Sequence, residues 1–233
     1  MNTELVKRQD PEVSARILAA AEEVFAKKGP DGATLREITQ IANVNLAAVS
    51  YYFGSKSRLA LAVFDQLSTR INERRLADLE ACVATAKAEG QAPDLRTVLE
   101  VFIRPYLEAG KSGRLFARLV MQHRLSPTEL TRAIIQQHFD PMARRFIAAI
   151  AEACPHLDPK EFFWRYAFMI GTVVYSVADS GVTERTAQLS GGKIDLANTD
   201  DLRSAMLSFL VGGMTAQAVK AAAASDESDP DRK

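Results

Sequence analysis

Thr34-Leu35-Arg36-Glu37-Ile38-Thr39-Gln40-Ile41-Ala42-Asn43-Val44-Asn45-Leu46-Ala47-Ala48-Val49-Ser50-Tyr51-Tyr52-Phe53-Gly54-Ser55-Lys56 carries its own punctuation. Thr34 and Glu37 have the Thr-x-x-Glu spacing of a capping box, in which each residue satisfies an orphan backbone donor of the other. The helix they open turns Leu35, Ile38 and either Ile41 or Ala42 inward. Asn43-Val44-Asn45 is a turn whose last residue N-caps Leu46 to Phe53, and Gly54-Ser55 ends that helix and caps another at Lys56. Upstream, Ile17, Leu18, Ala21, Val24 and Phe25 share one helical face, and Gly29-Pro30-Asp31-Gly32 stops the run, so a first helix is expected from about Pro11 to Lys28. Three short helices, with a three-residue turn between the second and third, have the geometry of a helix-turn-helix whose last helix reads DNA.

The remainder is helical too. Strand-length alternation is almost absent, whereas apolar residues three and four apart recur from Ile17 to Met214, so the chain reads as all-α, with about nine helices. Leu59, Val63, Phe64, Leu67, Ile71 and Leu79 stripe a long helix from Lys56 to about Ala88, broken by Gly90-Gln91-Ala92-Pro93. Leu95 to Ala109 follows, with Pro105 inside; then come Arg114 to Leu125, and Thr128 to Ala153 interrupted at Asp140-Pro141. Pro159 to Ser180 is apolar nearly all round, and Asp200 to about Ala223 carries Leu202, Met206, Leu210 and Met214 at i, i+4 spacing. Val182 to Thr199, with Gly191-Gly192, reads as a loop, and Ser225 to Lys233 as a disordered tail. The division expected is a helix-turn-helix domain over 1–58, a larger helical domain for effector binding and dimerisation over 59–224, and the tail over 225–233.

Composition narrows the function. The 233 residues are 47% hydrophobic and 25% charged, and 29 basic side chains balance 29 acidic ones, so no global field draws the chain to nucleic acid or an anionic membrane. Residues 1–58 hold eight basic and seven acidic side chains, so DNA affinity must rest on positioned contacts and on pairing of two reading heads. The greasiest stretch, Phe162 to Val177, contains Arg165, which argues against a membrane span. The polar start, without an apolar signal core, and the two separate cysteines, Cys82 and Cys154, point to the reducing cytoplasm. No GxGxxG, GxxxxGK, GxSxG or HExxH is present, and His123, His138 and His156 lack metal-ligand spacing. No enzyme, metal site or cofactor is expected.

Ile17-Leu18-x-Ala20-Ala21, Phe25, Gly29, Thr34-Leu35-x-x-Ile38, Ile41-Ala42-x-Val44 and Tyr52-Phe53-x-Ser55-Lys56-x-x-Leu59 resemble, in order and spacing, the N-terminal domain of TetR-type transcriptional regulators. The likeness covers roughly residues 14 to 64. The string from Val44 to Lys56 looks like a subgroup that includes fatty-acid-responsive PsrA-type repressors. This chain departs from the commoner family pattern at Ser50, where many members carry Tyr or Asn, and at Asn45, where Ser or Thr is commoner.

Expected DNA contacts are Thr34, Arg36, Asn45, Leu46, Ala47, Ala48, Ser50, Tyr51, Tyr52 and Lys56. Small and hydroxylated side chains allow close approach to base edges and phosphates, while Thr34 and Lys56, at helix starts, resemble the family's phosphate contacts. The resemblance implies a repressor that binds a double-stranded palindromic operator as a homodimer through a bundle of the last two helices, with Phe163, Tyr166, Ile170, Val173, Val177, Met206, Leu210 and Met214 at the interface. A small hydrophobic effector, a fatty acid or acyl derivative being one class, would lie among Phe102, Tyr106, Phe116, Met121, His123, Phe139 and Tyr175. The alternative is an effector-binding or interaction protein of the same fold without specific DNA binding.

Overall fold

The computed structural model describes residues 10–108, 110–178, 180–195 and 198–217, and only the backbone at 108, 111 and 180–183. The expected tail at 225–233 and the end of the last predicted helix lie outside the described residues. Among those described there is no strand.

Helix α1 (Pro11–Gly32) starts where Asp10 accepts a hydrogen bond from the Glu12 amide at 2.9 Å, and it buries Ile17, Ala20, Ala21, Val24 and Phe25. Gly29 takes φ +73°, a left-handed value that glycine adopts without steric cost, so the regular helix stops at Lys28 and only a turn follows. Helix α2 (Leu35–Ala42) opens on the capping box: the Thr34 amide donates to Glu37 Oε2 at 3.0 Å and the Glu37 amide to Thr34 Oγ1 at 3.3 Å. Ala42 is buried and Ile41 is 48% exposed, which settles which of the two faces inward. Asn43 closes α2 in the left-handed region, and Asn45 caps α3 (Leu46–Phe53) by accepting from the Ala48 amide at 2.9 Å.

Ser55 caps α4 (Lys56–Ala88), a 33-residue helix whose predicted stripe, Leu59 to Leu79, is buried. The expected domain boundary at residue 58 falls in its first turn, so α4 runs without a break from the three-helix head into the body. Helix α5 (Leu95–Glu108) contains Pro105. Helix α6 (Gly110–Leu125) begins four residues before the expected Arg114 because the chain turns back tightly: a Cβ on Gly113 would lie 2.5 Å from the Tyr106 carbonyl oxygen.

The stretch from Thr128 to Ala153 divides into α7 (Glu129–Ile134), a π-helical turn (Ile135–Phe139) and α8 (Asp140–Ala153). Pro141 has no N–H to give the carbonyl one turn back, and the widened turn lies immediately before it. Helix α9 (Pro159–Ala178) follows, then α10 (Ser180–Leu189) and α11 (Thr199–Thr215). The expected loop from Val182 to Thr199 is therefore corrected: its first half is helical, and Gly191-Gly192, both at positive φ, terminate α10 instead of marking an open loop.

One apolar core extends from Ile17 to Met214. Arg165, only 9% exposed, joins α9 to α11: its Nη1 donates to the carbonyls of Gly213 (2.8 Å), Met214 (3.2 Å) and Ala216 (2.7 Å). A cation thus sits among acceptors at the C-terminus of α11, where the Met214 carbonyl also lies 3.3 Å from His156 Nε2.

Candidate nucleic-acid interface and interior cavity

Helix α3 has no charged side chain and is held by one deeply buried residue, Val49, with Ala48, Tyr52 and Phe53 half-buried against the core. Leu46, Ala47, Ser50 and Tyr51 are left facing solvent, with Leu46 54% and Tyr51 51% exposed. Thr34, Arg36 and Asn45 are also exposed.

Three of these residues also have structural work. Tyr52 Oη accepts a hydrogen bond from the Asp10 amide at 3.1 Å, tethering the start of α1 to the end of α3. Lys56 Nζ donates to the carbonyls of Asp31 (3.1 Å) and Ala33 (3.0 Å), so two of its three protons stitch the α1–α2 turn to α4. Local spacing gave no sign of these long-range bonds. Thr34 caps α2, and the Lys28 ammonium binds Glu37 from the other side. That hydrogen bond, reinforced by Thr34, pushes the Glu37 carboxyl down to about 2 from an ordinary 4.5.

In the body, six of the seven expected effector contacts line two adjoining cavities. Phe102, Tyr106, His123 and Phe139 line an inner cavity of about 170 Å³, and Met121 and Tyr175 an outer one of about 370 Å³. The two share Arg124, Tyr166, Ile170 and Val174. Phe116 lies behind the wall, fully buried, with its ring stacked on Phe139 (centroids 5.6 Å apart) and on Tyr106 (5.4 Å). Burial pushes the Tyr166 hydroxyl up to about 12, so it remains a neutral donor. Burial, helped by Arg124 and Arg132, lowers the His123 imidazole from its ordinary value.

Sequence reading overlooked Arg75. It interrupts the α4 stripe between Ile71 and Leu79, and that interruption was the available signal. Its fully buried guanidinium lies over the rings of Tyr106 (4.4 Å to the centroid) and Phe102 (4.9 Å), and donates to Asn72 Oδ1 at 3.1 Å and to the Phe102 carbonyl at 2.8 Å. Cation–π contact and these two bonds hold the rings that form the cavity wall.

The expected dimer residues divide. Val173, Val177, Met206, Leu210 and Met214 are at most 7% exposed and belong to the chain's own core, which corrects their placement at an interface. Tyr166 and Ile170 face the cavities instead. Phe163 is 55% exposed and remains on the surface. Helices that are apolar on every side must use one side for the protomer, and α11 spends its Met206-Leu210-Met214 stripe against α5 and α9. The outward apolar stripes are Trp164, Phe168, Gly171 and Tyr175 on α9, and Ala205, Phe209 and Gly212 on α11.

Comparison with known proteins agrees with this architecture. The family model for bacterial regulatory proteins of the tetR family matches residues 17–63, and that for the tetracyclin repressor-like C-terminal domain matches residues 100–213. The chain belongs to the TetR family of bacterial transcriptional regulators. This TetR-family chain is 42% identical over 60 residues to an HTH-type transcriptional repressor of Mycobacterium tuberculosis, a match spanning 26% of the chain and only 32% of that relative. It is 25% identical over 194 residues to the HTH-type transcriptional dual regulator CecR of Shigella flexneri, covering 80% of this chain and 85% of CecR. Its fold is also that of the transcriptional regulator FadR of Bacillus subtilis, solved in complex with stearoyl-CoA: TM-score 0.53, 20% identity, 85% of this chain and 98% of that one. TetR-family proteins are regulators, not enzymes. No helix among the described residues is long and apolar enough to cross a membrane.

Proposed function

We propose that this TetR-family chain is a cytoplasmic DNA-binding repressor that grips a palindromic operator as a homodimer and lets go when a small hydrophobic effector enters the body. The observation that carries the reading is the outer face of α3: Leu46, Ala47, Ser50 and Tyr51 stand exposed on a helix fastened from behind by Val49, with no carboxylate to repel phosphates. Ala47 and Leu46 suit thymine methyls, and the Ser50 and Tyr51 hydroxyls suit base edges or phosphates. Thr34, Arg36, Asn45 and Lys56 flank them as phosphate contacts, Lys56 with the one proton its backbone bonds leave over.

A single head reads few base pairs, so two must be held about 34 to 36 Å apart. The outward stripes of α9 and α11, Trp164 and Phe168 with Phe209, are the surface we assign to that pairing, together with Phe163.

The effector site is the pair of cavities joined at Arg124 and Tyr166. An inner chamber of about 170 Å³ walled by Phe102, Tyr106 and Phe139 accepts a short alkyl or single-ring group, and the outer one takes the remainder, with Arg124 for a polar or anionic end. Fatty acids and acyl derivatives have this form, and the relation in fold to a FadR bound to stearoyl-CoA supports the class. Transmission runs through contiguous rings: Phe139 of the cavity wall lies 6.1 Å from Phe64 of α4, the helix that carries the head. An effector that favours a different Phe139 position thereby favours a different placement of α4.

The test is fluorescence anisotropy with DNA from upstream of the chain's own gene and of its neighbours, with and without saturated fatty acids and their CoA thioesters. Binding to one palindromic segment, relieved by an acyl ligand, is the expected result. Binding that does not discriminate that segment from random DNA overturns the proposal.

A further inference from the structure

A further cavity, of about 300 Å³, lies in the seam between the head and the body. One side is built from Pro30 and Asp31 in the α1–α2 turn and the first turns of α4; the other comes from α6 and α7. Its floor is apolar, with Ala60, Leu61 and Phe64 of α4 facing Leu119 of α6. Leu130 of α7 borders it while remaining 58% exposed, an apolar side chain that the regulator's other parts leave without a use.

The rim is polar and almost without charge. Ser57, Gln122, Ser126, Thr128 and Thr131 contribute hydroxyls and one amide. Its lining holds one cation, Lys56, and one carboxylate, Asp31, and two of the Lys56 protons go to the backbone carbonyls of Asp31 and Ala33. His123 adds an imidazole whose Nδ1 is 2.8 Å from Thr131 Oγ1, and the Thr131 hydroxyl donates to the Thr128 carbonyl at 3.1 Å. Burial and the charges of Arg124 and Arg132 favour the neutral form of this ring.

We propose that this seam is a second small-molecule site, separate from the effector cavities, and that it takes an uncharged amphiphile of one or two rings bearing a hydroxyl. The size follows from the volume, about twice that of a cavity which holds benzene. The absence of net charge follows from the lining, where one cation and one carboxylate balance: an ion of either sign would shed its water and meet no excess of the opposite charge. The hydroxyl meets the neutral donors and acceptors that ring the floor.

The position gives the site a consequence. An occupant touches head and body together and so stabilises one placement of the head; to that extent the inference rests on the proposed DNA-binding role. The seam also shares walls with the effector cavities. His123 lines both, and Phe64 of the seam floor packs against Phe139 of the inner cavity. The two ligands are therefore coupled, each changing the other's affinity by the same factor.

The probe is 2-naphthol, compared with 2-naphthoate and 2-naphthylmethylammonium, titrated into the full-length protein with methyl groups followed by NMR. The expected result is saturable shifts at Ala60, Leu119 and Leu130, with 2-naphthol bound about tenfold or more tightly than either ion. Leu130→Lys and Gln122→Trp, both at exposed positions and so compatible with folding, weaken it about fivefold or more. Shifts confined to Ile170, Val174 and Met142, equal affinity for 2-naphthoate, or no saturation by about 1 mM overturn the site. At saturation, operator affinity changes about threefold or more; unchanged operator affinity with the seam filled overturns the coupling. Uptake of 2-naphthol by a chain that binds no operator defeats the regulatory reading and leaves the seam site standing, whereas operator binding without uptake does the reverse.

Discussion

His138 Nε2 lies 2.8 Å from Asp65 Oδ1, joining the π-turn to α4 across 73 residues of sequence. The same turn is held a second time, where Asn72 Nδ2 donates to the His138 carbonyl at 3.1 Å. Ile135 and Phe139, at the two ends of the turn, line the inner cavity. A π-turn has one residue more than the α-helical ladder needs, so it tightens or shifts at small cost, and here any shift moves a side chain fastened to the helix that carries the reading head. His138→Leu is expected to reduce the effector's influence on operator affinity about fivefold or more while lowering stability by only about 1 kcal/mol, since Asp65 is half exposed and regains water. Paired anisotropy titrations with and without effector, and urea unfolding, measure the two effects separately.

Tyr51 and Lys56 are predicted to part company. Tyr51→Ala removes an exposed ring, so stability stays within about 0.5 kcal/mol, while operator affinity falls by about 1 to 3 kcal/mol. Lys56→Ala leaves the Asp31 and Ala33 carbonyls without their donor and lowers stability by about 1 to 3 kcal/mol before any phosphate is considered. Thermal unfolding of the two variants beside their binding curves distinguishes these roles; equal loss of stability in both would contradict the outward placement of Tyr51.

The Glu37 carboxylate, bound first by Lys28 and then by Thr34, has a pH signature. Because the Glu37 carboxyl is held at about 2 in the folded chain against an ordinary 4.5, the fold binds fewer protons than the unfolded chain between those values. The contribution is complete above pH 4.5 and disappears as the solution is acidified toward about 2. Glu37→Gln should accordingly be less stable than the parent at neutral pH, with the gap in Tm closing across that acid window. A constant gap would show that the Glu37 charge contributes nothing to the stability of the head.

For the outer stripes of α9 and α11, a charge is the sharpest probe. Phe168 is 64% and Phe209 66% exposed in the protomer, so Phe168→Arg and Phe209→Glu leave the core intact. Sedimentation should show monomers at concentrations where the parent is dimeric, and operator affinity should fall about a hundredfold or more through loss of the second head. Val173→Ala, at a fully buried position, should instead lower stability without selectively splitting the dimer.

Ile41 and Ala42 mark where local reading of the sequence ends. Both suit the inner face of α2 by spacing alone, and only the packing of the neighbouring helices decides that Ala42 is the one covered. The same holds for α9, where Phe163, Tyr166, Ile170 and Val173 read alike as apolar interface residues but end up at the surface, in the cavities or in the core. Arg75 reads as an interruption of a stripe, and its partners lie on another helix, at Phe102 and Tyr106.

The sequence by itself determined the helices of the head, their caps and turns, and the all-α class. Those features depend on residues within a few positions of one another: a hydroxyl three residues from a carboxylate, an asparagine before an apolar run, a glycine free to take positive φ. Tertiary structure alone decided which side of each fully apolar helix is spent on the core, that Lys56 and Tyr52 bond to distant backbone, and that His123 stands between two cavities. The physical reason is that hydrophobic burial has no direction of its own, so an apolar face shows that it must be covered but not by what, and a hydrogen bond across dozens of residues has no local pattern that announces it.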